Sequence, residues 1–135
     1  PAKVIKSFGK KITDFALTDL GYIQQLELFK MVCDKNGYPP PVVDADDLCA
    51  NPGAILLKLC EKLEINYSSE MLHWDTGTHS YDGVWGAYWY GAVNETTGFS
   101  HSEQQLEAPS SFQRHLINEA QPYFCVLNKH KICIE

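Results

Sequence analysis

Residues 39–56 read PPPVVDADDLCANPGAIL, and this stretch decides the fold class because it places a strand directly before a helix. Three prolines in a row hold the backbone extended, so the two valines that follow read as a short buried strand at about residues 41–44. Asn51 followed by Pro52 is a helix start, since asparagine caps free backbone N–H groups and proline suits the first helical position. The sequence therefore predicts a short buried strand followed by a helix.

Helical patterns fill most of the remaining sequence. The predicted helices lie at residues 2–11, in a segment that ends near residue 36, in a segment after Pro52, at residues 84–95 and in a last segment that Pro109 and Ser110 open. Pro122 should break or kink the last helix because proline removes a backbone hydrogen bond, and another helical turn should end the chain. Asp44 or Asp46 should cap a short helix after the strand. We therefore expect a helix-rich chain with a single clear strand.

This one strand has no sheet to join within the sequence. A strand cannot form a sheet by itself, because its backbone hydrogen-bonding groups need neighbouring strands. We therefore expect residues 1–135 to form a single domain or a half-domain. The missing strands are expected from a region N-terminal to Pro1 or from another chain that completes the sheet.

Charge is unevenly distributed along the chain, which has a formal net charge of −6 at pH 7. Four lysines fall within the first 11 residues: Lys3, Lys6, Lys10 and Lys11. Residues 12–128, in contrast, hold 16 acidic residues against five basic residues. An acidic body argues against a nucleic-acid binder, whose phosphate contacts need a basic face. The basic first segment can still meet a small anion.

Neither a membrane span nor a disulfide framework is indicated by the composition. No apolar run approaches the roughly 20 residues that a membrane helix needs. The five cysteines are an odd number and contain no C-x-x-C motif, which is typical of reduced, buried thiols in a cytoplasmic protein. We therefore expect a cytoplasmic location and no membrane partner.

The segment 74–99 holds all three tryptophans and several tyrosines. Such an aromatic segment with interspersed glycines can line a pocket for a flat ligand. Alternatively, its rings can pack into the hydrophobic core. His73 and His79 lie near its start, but their H-x5-H spacing fits no zinc pattern, so no metal is expected. His79, beside Asp82 in a glycine-flanked loop, is the better candidate for a catalytic general base, because histidine titrates near neutral pH.

Four motifs carry a resemblance to a known family. They read TDLGYIQQLELF (18–29), PPVVDADDL (40–48), NPGAILLKLC (51–60) and DGVWxxYWYxxVxxTxGF (82–99). Together they resemble the C-terminal half of the sulfotransferase-like P-loop proteins. The resemblance implies a three-layer α/β fold, of which this chain is a helix-rich part. It also implies transfer of a sulfuryl group from 3′-phosphoadenosine 5′-phosphosulfate to a hydroxyl or amine acceptor.

The resemblance further implies roles for individual residues on the donor side. Ser7 falls where the family has a serine that binds the 3′-phosphate of the donor, and Lys3 or a neighbouring lysine would assist it. Gly83 and Trp85 match in kind a loop that covers the donor nucleotide. The basic residue that such loops often carry is absent here, since Gly-Ala-Tyr follows Trp85.

Other catalytic parts of the family are missing from this sequence. The arginine that accompanies the 3′-phosphate serine would lie two residues before Pro1, and no glycine-rich phosphate loop occurs in the 135 residues. Because sulfuryl transfer needs firmly held phosphates, we expect the chain to form one wall of the donor site. It would be catalytic only when an N-terminal half completes it. One alternative is a non-catalytic binding or structural subunit that retains the fold. A second alternative is a nucleotide-dependent enzyme of another kind, since P-loop folds host many chemistries.

Overall fold

A computed structural model describes residues 1–100 and 107–134, which form two compact units. The first unit combines residues 1–42 with residues 107–131, and the second unit is the remainder. Each unit has its own set of helices and is described by itself below.

Helices account for nearly all regular structure in the described residues. The α-helices are α1 (Ala2–Gly9), α2 (Tyr22–Asn36), α3 (Ala45–Ala50), α4 (Pro52–Leu63), α5 (Gly86–Trp89) and α6 (Ser111–Asn128). Short 3₁₀ turns lie at Leu17–Leu20, Ser69–Leu72 and Val93–Glu95. None of these helices is long and apolar enough to cross a membrane.

Two clusters of buried apolar side chains hold the first unit together. The first cluster consists of Ile5, Phe15 and Leu116. The second cluster consists of Leu26, Phe29 and Leu127. Helix α6 contributes to both clusters, so α1 and α2 each pack against it. Burying each of these side chains stabilises the fold by about 1.5–3 kcal/mol.

Helix α6 begins where the sequence predicts but continues further than expected. The Ser110 hydroxyl accepts a hydrogen bond from the backbone N–H of Gln113 at 3.2 Å. The backbone N–H of Ser110 donates to the Gln113 side chain at 3.0 Å, which completes a capping box. Of the two outcomes predicted at Pro122, a break is wrong, because α6 runs through this residue, and a kink stays a prediction. Ala120 and Leu127 are buried on either side of Pro122, and their packing holds the helix together where one backbone hydrogen bond is missing.

The strand predicted at about residues 41–44 is reduced to one parallel β-bridge between Val42 and Lys131. The additional helical turn predicted at the chain end is wrong, because the residues after α6 form a turn and this bridge. Apart from this bridge and an antiparallel bridge between His73 and Gly98, the described residues contain no strand pairing, so they do not form the sheet of a three-layer fold.

Side-chain caps begin two helices of the second unit, as the sequence predicts. The Asp44 carboxylate accepts hydrogen bonds from the backbone N–H groups of Asp46 at 2.9 Å and Asp47 at 3.2 Å, and α3 follows. The Asn51 side chain accepts from the backbone N–H of Ala54 at 3.4 Å, and α4 follows. These caps fix the helix starts because they satisfy N–H groups that no helical carbonyl reaches.

The helix predicted at residues 84–95 is instead two short elements. Helix α5 ends after four residues, a turn at Gly91 follows, and the 3₁₀ turn comes last. The prediction was wrong because Gly86 and Gly91 both lower helix propensity within ten residues. The chain therefore turns at this point rather than forming one long helix.

The cysteines agree with the sequence prediction only in part. All five are free, and Cys60 is buried within α4. Cys125 and Cys133, however, are exposed. Burial of every thiol was therefore a wrong expectation, because Cys125 lies on the solvent side of α6.

Replacing Ile5 with alanine should lower the free energy of unfolding by about 2–5 kcal/mol, because Ile5 is 0% exposed and the change leaves a cavity. Val4→Ala is the matched control: Val4 is 48% exposed on the same helix, so its loss should cost less than about 1 kcal/mol. Urea denaturation followed by circular dichroism measures both values. Equal destabilisation by the two substitutions would contradict the described orientation of α1.

Candidate functional site

One face of α1 is basic and carries Ser7. Ser7 lies four residues after Lys3 and three residues before Lys10, so the three side chains share one face of the helix, and all three are exposed. Lys6 lies at the edge of this face, and its Nζ is 3.7 Å from Oε2 of Glu107. The structure therefore brings the predicted site residues Ser7 and Lys3 together on an exposed surface.

This basic face of α1 has the chemistry to hold a small anion. Lysine ammonium groups act as point charges toward phosphate oxygens, and a serine hydroxyl can donate a hydrogen bond to them. Glu107 offsets part of the positive charge through its ion pair with Lys6. Because the Glu107 side chain is 91% exposed, solvent weakens that pair, and an anionic ligand can replace it.

His79 is held in a defined position in the second unit by three contacts. Its backbone N–H donates to Oδ2 of Asp82 at 2.8 Å, and its ring nitrogen Nε2 lies 3.1 Å from the backbone carbonyl oxygen of Asp75. Its ring stacks on that of Tyr81, with centroids 4.9 Å apart and planes inclined by 3°. A carbonyl oxygen only accepts hydrogen bonds, so Nε2 carries the proton of the neutral ring. Nδ1 therefore keeps the lone pair that can accept a proton.

The loop that carries His79 closes tightly against the start of α5. A Cβ atom added to Gly86 would lie 2.9 Å from Cβ of Asp82 and 3.4 Å from the Tyr90 ring, so only glycine fits there without movement. Gly83, in contrast, faces open space, with no atom within 4 Å of an added Cβ. The family resemblance implied a site role for Gly83. The position where neighbouring side chains approach the backbone closely, however, is Gly86.

The three tryptophans of this region have different environments. Trp85, predicted to cover the donor nucleotide, is 68% exposed just before α5. Trp74 donates its indole N–H to Oγ1 of Thr96 at 3.1 Å and packs edge-on against Phe99, with centroids 5.2 Å apart. Trp89 is half-buried. Trp74 and Trp89 thus contribute to packing, whereas the Trp85 ring is largely exposed to solvent.

An open groove of about 680 Å³ lies next to the His79 loop. It is lined by Glu70, His73, Trp74, Asp75 and Thr97. Asp75 lines the groove, and its carbonyl oxygen contacts the His79 ring, so the groove and the ring are neighbours. The sequence did not point to Glu70 and Asp75, because the bridge between His73 and Gly98 that forms this groove is a non-local contact.

The predicted site residues fall into two groups. Ser7 and Lys3 lie on α1 in the first unit, and His79, Gly83 and Trp85 lie on one loop of the second unit. Their roles toward a donor or an acceptor stay predictions. Within residues 1–100 and 107–134, no group of three or more His, Cys, Asp or Glu side chains is arranged to hold a metal ion.

Comparison with known proteins identifies a protein family that matches this chain. The family model described as "Sulfotransferase domain" matches residues 1–131. Two similar proteins come from Arabidopsis thaliana. Branched-chain-amino-acid aminotransferase-like protein 2 is 31% identical to this chain over 130 residues. Branched-chain-amino-acid aminotransferase-like protein 1 is 32% identical over 130 residues. Each alignment covers 96% of this chain and 23% of the relative, so the chain spans less than a quarter of their length. No solved structure gives a significant match.

Replacing Gly86 with alanine should disturb the position of His79, because the added methyl group would displace Asp82, which accepts the His79 backbone hydrogen bond. Nitrogen-15 NMR of the His79 ring measures this effect. The unaltered chain should show protonation at Nε2, and Gly86→Ala should alter the ring signals. Gly83→Ala is the control, since open space surrounds that position. Protonation at Nδ1 in the unaltered chain, or equal effects of both substitutions, would contradict the described loop.

Proposed function

This chain belongs to the sulfotransferase domain family, and we propose that it forms part of an enzyme that transfers a sulfuryl group from 3′-phosphoadenosine 5′-phosphosulfate to a hydroxyl or amine acceptor. The match to the family over residues 1–131 supports the reaction class. The donor and the roles of individual residues are our proposal.

The observation that carries this proposal is the basic face of α1. The donor has a 3′-phosphate, and the family resemblance implies that Ser7 binds this group. Lys3 and Lys10 share the face with Ser7 and supply positive charge in a chain whose net charge is −6. A phosphate held by ammonium groups and a hydroxyl is a common arrangement for anion binding. The Ser7 hydroxyl would donate a hydrogen bond to the 3′-phosphate, and the Lys3 ammonium group would balance the negative charge of that phosphate.

The reaction also needs a group that accepts a proton. An acceptor oxygen forms a bond to sulfur while the bond between sulfur and the donor phosphate oxygen breaks. The acceptor hydroxyl loses its proton, and the donor leaves as adenosine 3′,5′-bisphosphate. His79 is our candidate base, because its Nε2 contact with the Asp75 carbonyl leaves Nδ1 able to take that proton. The contribution of Gly83 and Trp85 to the donor site stays a prediction from the family resemblance.

The proposed enzyme needs parts that this sequence does not contain. We propose that it works with a glycine-rich phosphate loop, and with strands that extend the bridge at Val42 into the sheet of a three-layer α/β fold. These parts would come from an N-terminal half or from another chain. A cytoplasmic location, expected from the free cysteines, likewise stays a prediction.

One observation favours an alternative, a non-catalytic binding or structural subunit that retains the fold. The relatives carry an aminotransferase-like name and neither is named a sulfotransferase. That name describes whole proteins, of which the region similar to this chain is 23%. It therefore assigns no aminotransferase chemistry to this region. Donor binding separates the two possibilities, because a subunit without a donor site would not need the basic face of α1.

Replacing Ser7 with alanine should weaken the binding of adenosine 3′,5′-bisphosphate by the complete protein about 10- to 100-fold, because a hydrogen bond to a charged phosphate is lost. Isothermal titration calorimetry measures the dissociation constants. Ser111→Ala is the matched control, since Ser111 is an exposed serine at the start of α6 in the same unit. Micromolar binding that Ser7→Ala weakens supports the enzyme. Absence of binding by the unaltered complete protein would overturn it.

A further inference from the structure

The second unit exposes a dense set of aromatic rings that the proposed reaction does not yet use. We call these the ring surface: Tyr81, Trp85, Tyr88 and Tyr90, which are 79%, 68%, 46% and 42% exposed. Singly exposed rings are ordinary on protein surfaces, whereas these four lie within ten consecutive residues. Such a concentration of exposed aromatic rings is typical of a binding surface.

The local backbone explains why these rings remain exposed. The buried residue of α5 is Gly86, which has no side chain to place in a core. Gly86 lies close to the Asp82 side chain and to the Tyr90 ring, so these groups occupy the inner side of α5. The rings of Trp85 and Tyr88, on either side of Gly86, remain exposed.

Charge around the ring surface selects the kind of molecule that it can bind. Residues 64–100 contain no Lys or Arg, but they contain five carboxylates: Glu64, Glu70, Asp75, Asp82 and Glu95. Glu70 and Asp75 line the open groove together with the Trp74 indole. Asp75 also joins this groove to the His79 ring through its carbonyl oxygen. The local field is therefore negative, which repels an anionic ligand and attracts a cationic one.

From exposed rings in a negative field, we infer that the ring surface and its adjoining groove bind a positively charged, ring-bearing molecule. A cation is attracted to the negative face of an aromatic ring, most strongly to that of tryptophan, and carboxylates complete its neutralisation. A flat ring on the same molecule gains further by stacking. Resting on the proposed function, this molecule is the sulfuryl acceptor, whose hydroxyl or amine group would lie near His79.

This inference gives Trp85 a different ligand from the one that the family resemblance implies. The donor carries several phosphate and sulfate charges, and no lysine or arginine of residues 64–100 is available to balance them. Charge therefore favours Trp85 on the acceptor side. The basic face of α1 suits the anionic donor instead.

A charge series of three small probes tests the inference on the complete protein. Benzylamine, benzyl alcohol and benzoate share one ring and carry positive, zero and negative charge. Labelling with 5-fluorotryptophan gives fluorine-19 NMR signals, and the signal that Trp85→Ala removes is assigned to Trp85. Benzylamine should shift the Trp85 signal and bind at least about fivefold more tightly than benzyl alcohol, and benzoate should not saturate.

Substitutions assign this preference to the named groups. Trp85→Ala should abolish the preference for benzylamine, and circular dichroism should confirm that the fold is kept, since this ring is 68% exposed. The double substitution Glu70→Gln with Asp75→Asn should reduce the preference at least about threefold. Glu61→Gln is the matched control, because Glu61 is an exposed carboxylate on α4 outside the groove. It should leave the preference unchanged.

The outcomes separate this inference from the proposed function. Equal binding of benzylamine and benzyl alcohol, tighter binding of benzoate, or no binding of any probe would overturn the cationic ligand. The last result is also expected if another protein surface covers the rings. If benzylamine binds as described but adenosine 3′,5′-bisphosphate does not bind, the ring surface stands as a cation site, and the sulfotransferase proposal falls.

Discussion

The complete burial of Ile5 is the constraint on which the candidate donor site depends. Its side chain packs with Phe15 and Leu116, so the apolar side of α1 faces α6. Helical geometry then leaves the opposite side of α1 in solvent, and that side carries Ser7 and the lysines. The apolar packing of Ile5 thus fixes the orientation of α1, and with it the side chains that we assign to phosphate binding. A loss of this anchor would disturb the site although no site residue had changed.

The two units carry opposite charge where we place ligands. The first unit presents lysines on α1, whereas residues 64–100 of the second unit hold only carboxylates and histidines as ionisable groups apart from tyrosines. An anionic donor and a cationic acceptor would each meet a surface of complementary sign. If the ligands divide in this way, as we propose, the donor would not need a basic residue beside Trp85.

Features set by neighbouring residues were predictable from the sequence. The caps at Asp44, Asn51 and Ser110 follow from side chains that reach backbone groups two or three residues away. The shared face of Ser7 and Lys3 follows from helical spacing in the same way.

Features that depend on distant contacts were not predictable from the sequence. The bridge of Val42 to Lys131 joins residues far apart in the chain, and the continuation of α6 through Pro122 depends on packing against other helices. The groove beside His79 also needs the non-local bridge to Gly98.

Hydrogen–deuterium exchange of the complete protein, with and without adenosine 3′,5′-bisphosphate, tests the central claim that α1 of a sulfotransferase domain holds the donor. Bound phosphate should restrain the helix, so amide exchange in Ala2–Gly9 should slow. Exchange at residues 81–90 should stay unchanged, because charge excludes the donor there. Unchanged exchange in α1, or slowing confined to residues 81–90, would contradict the account.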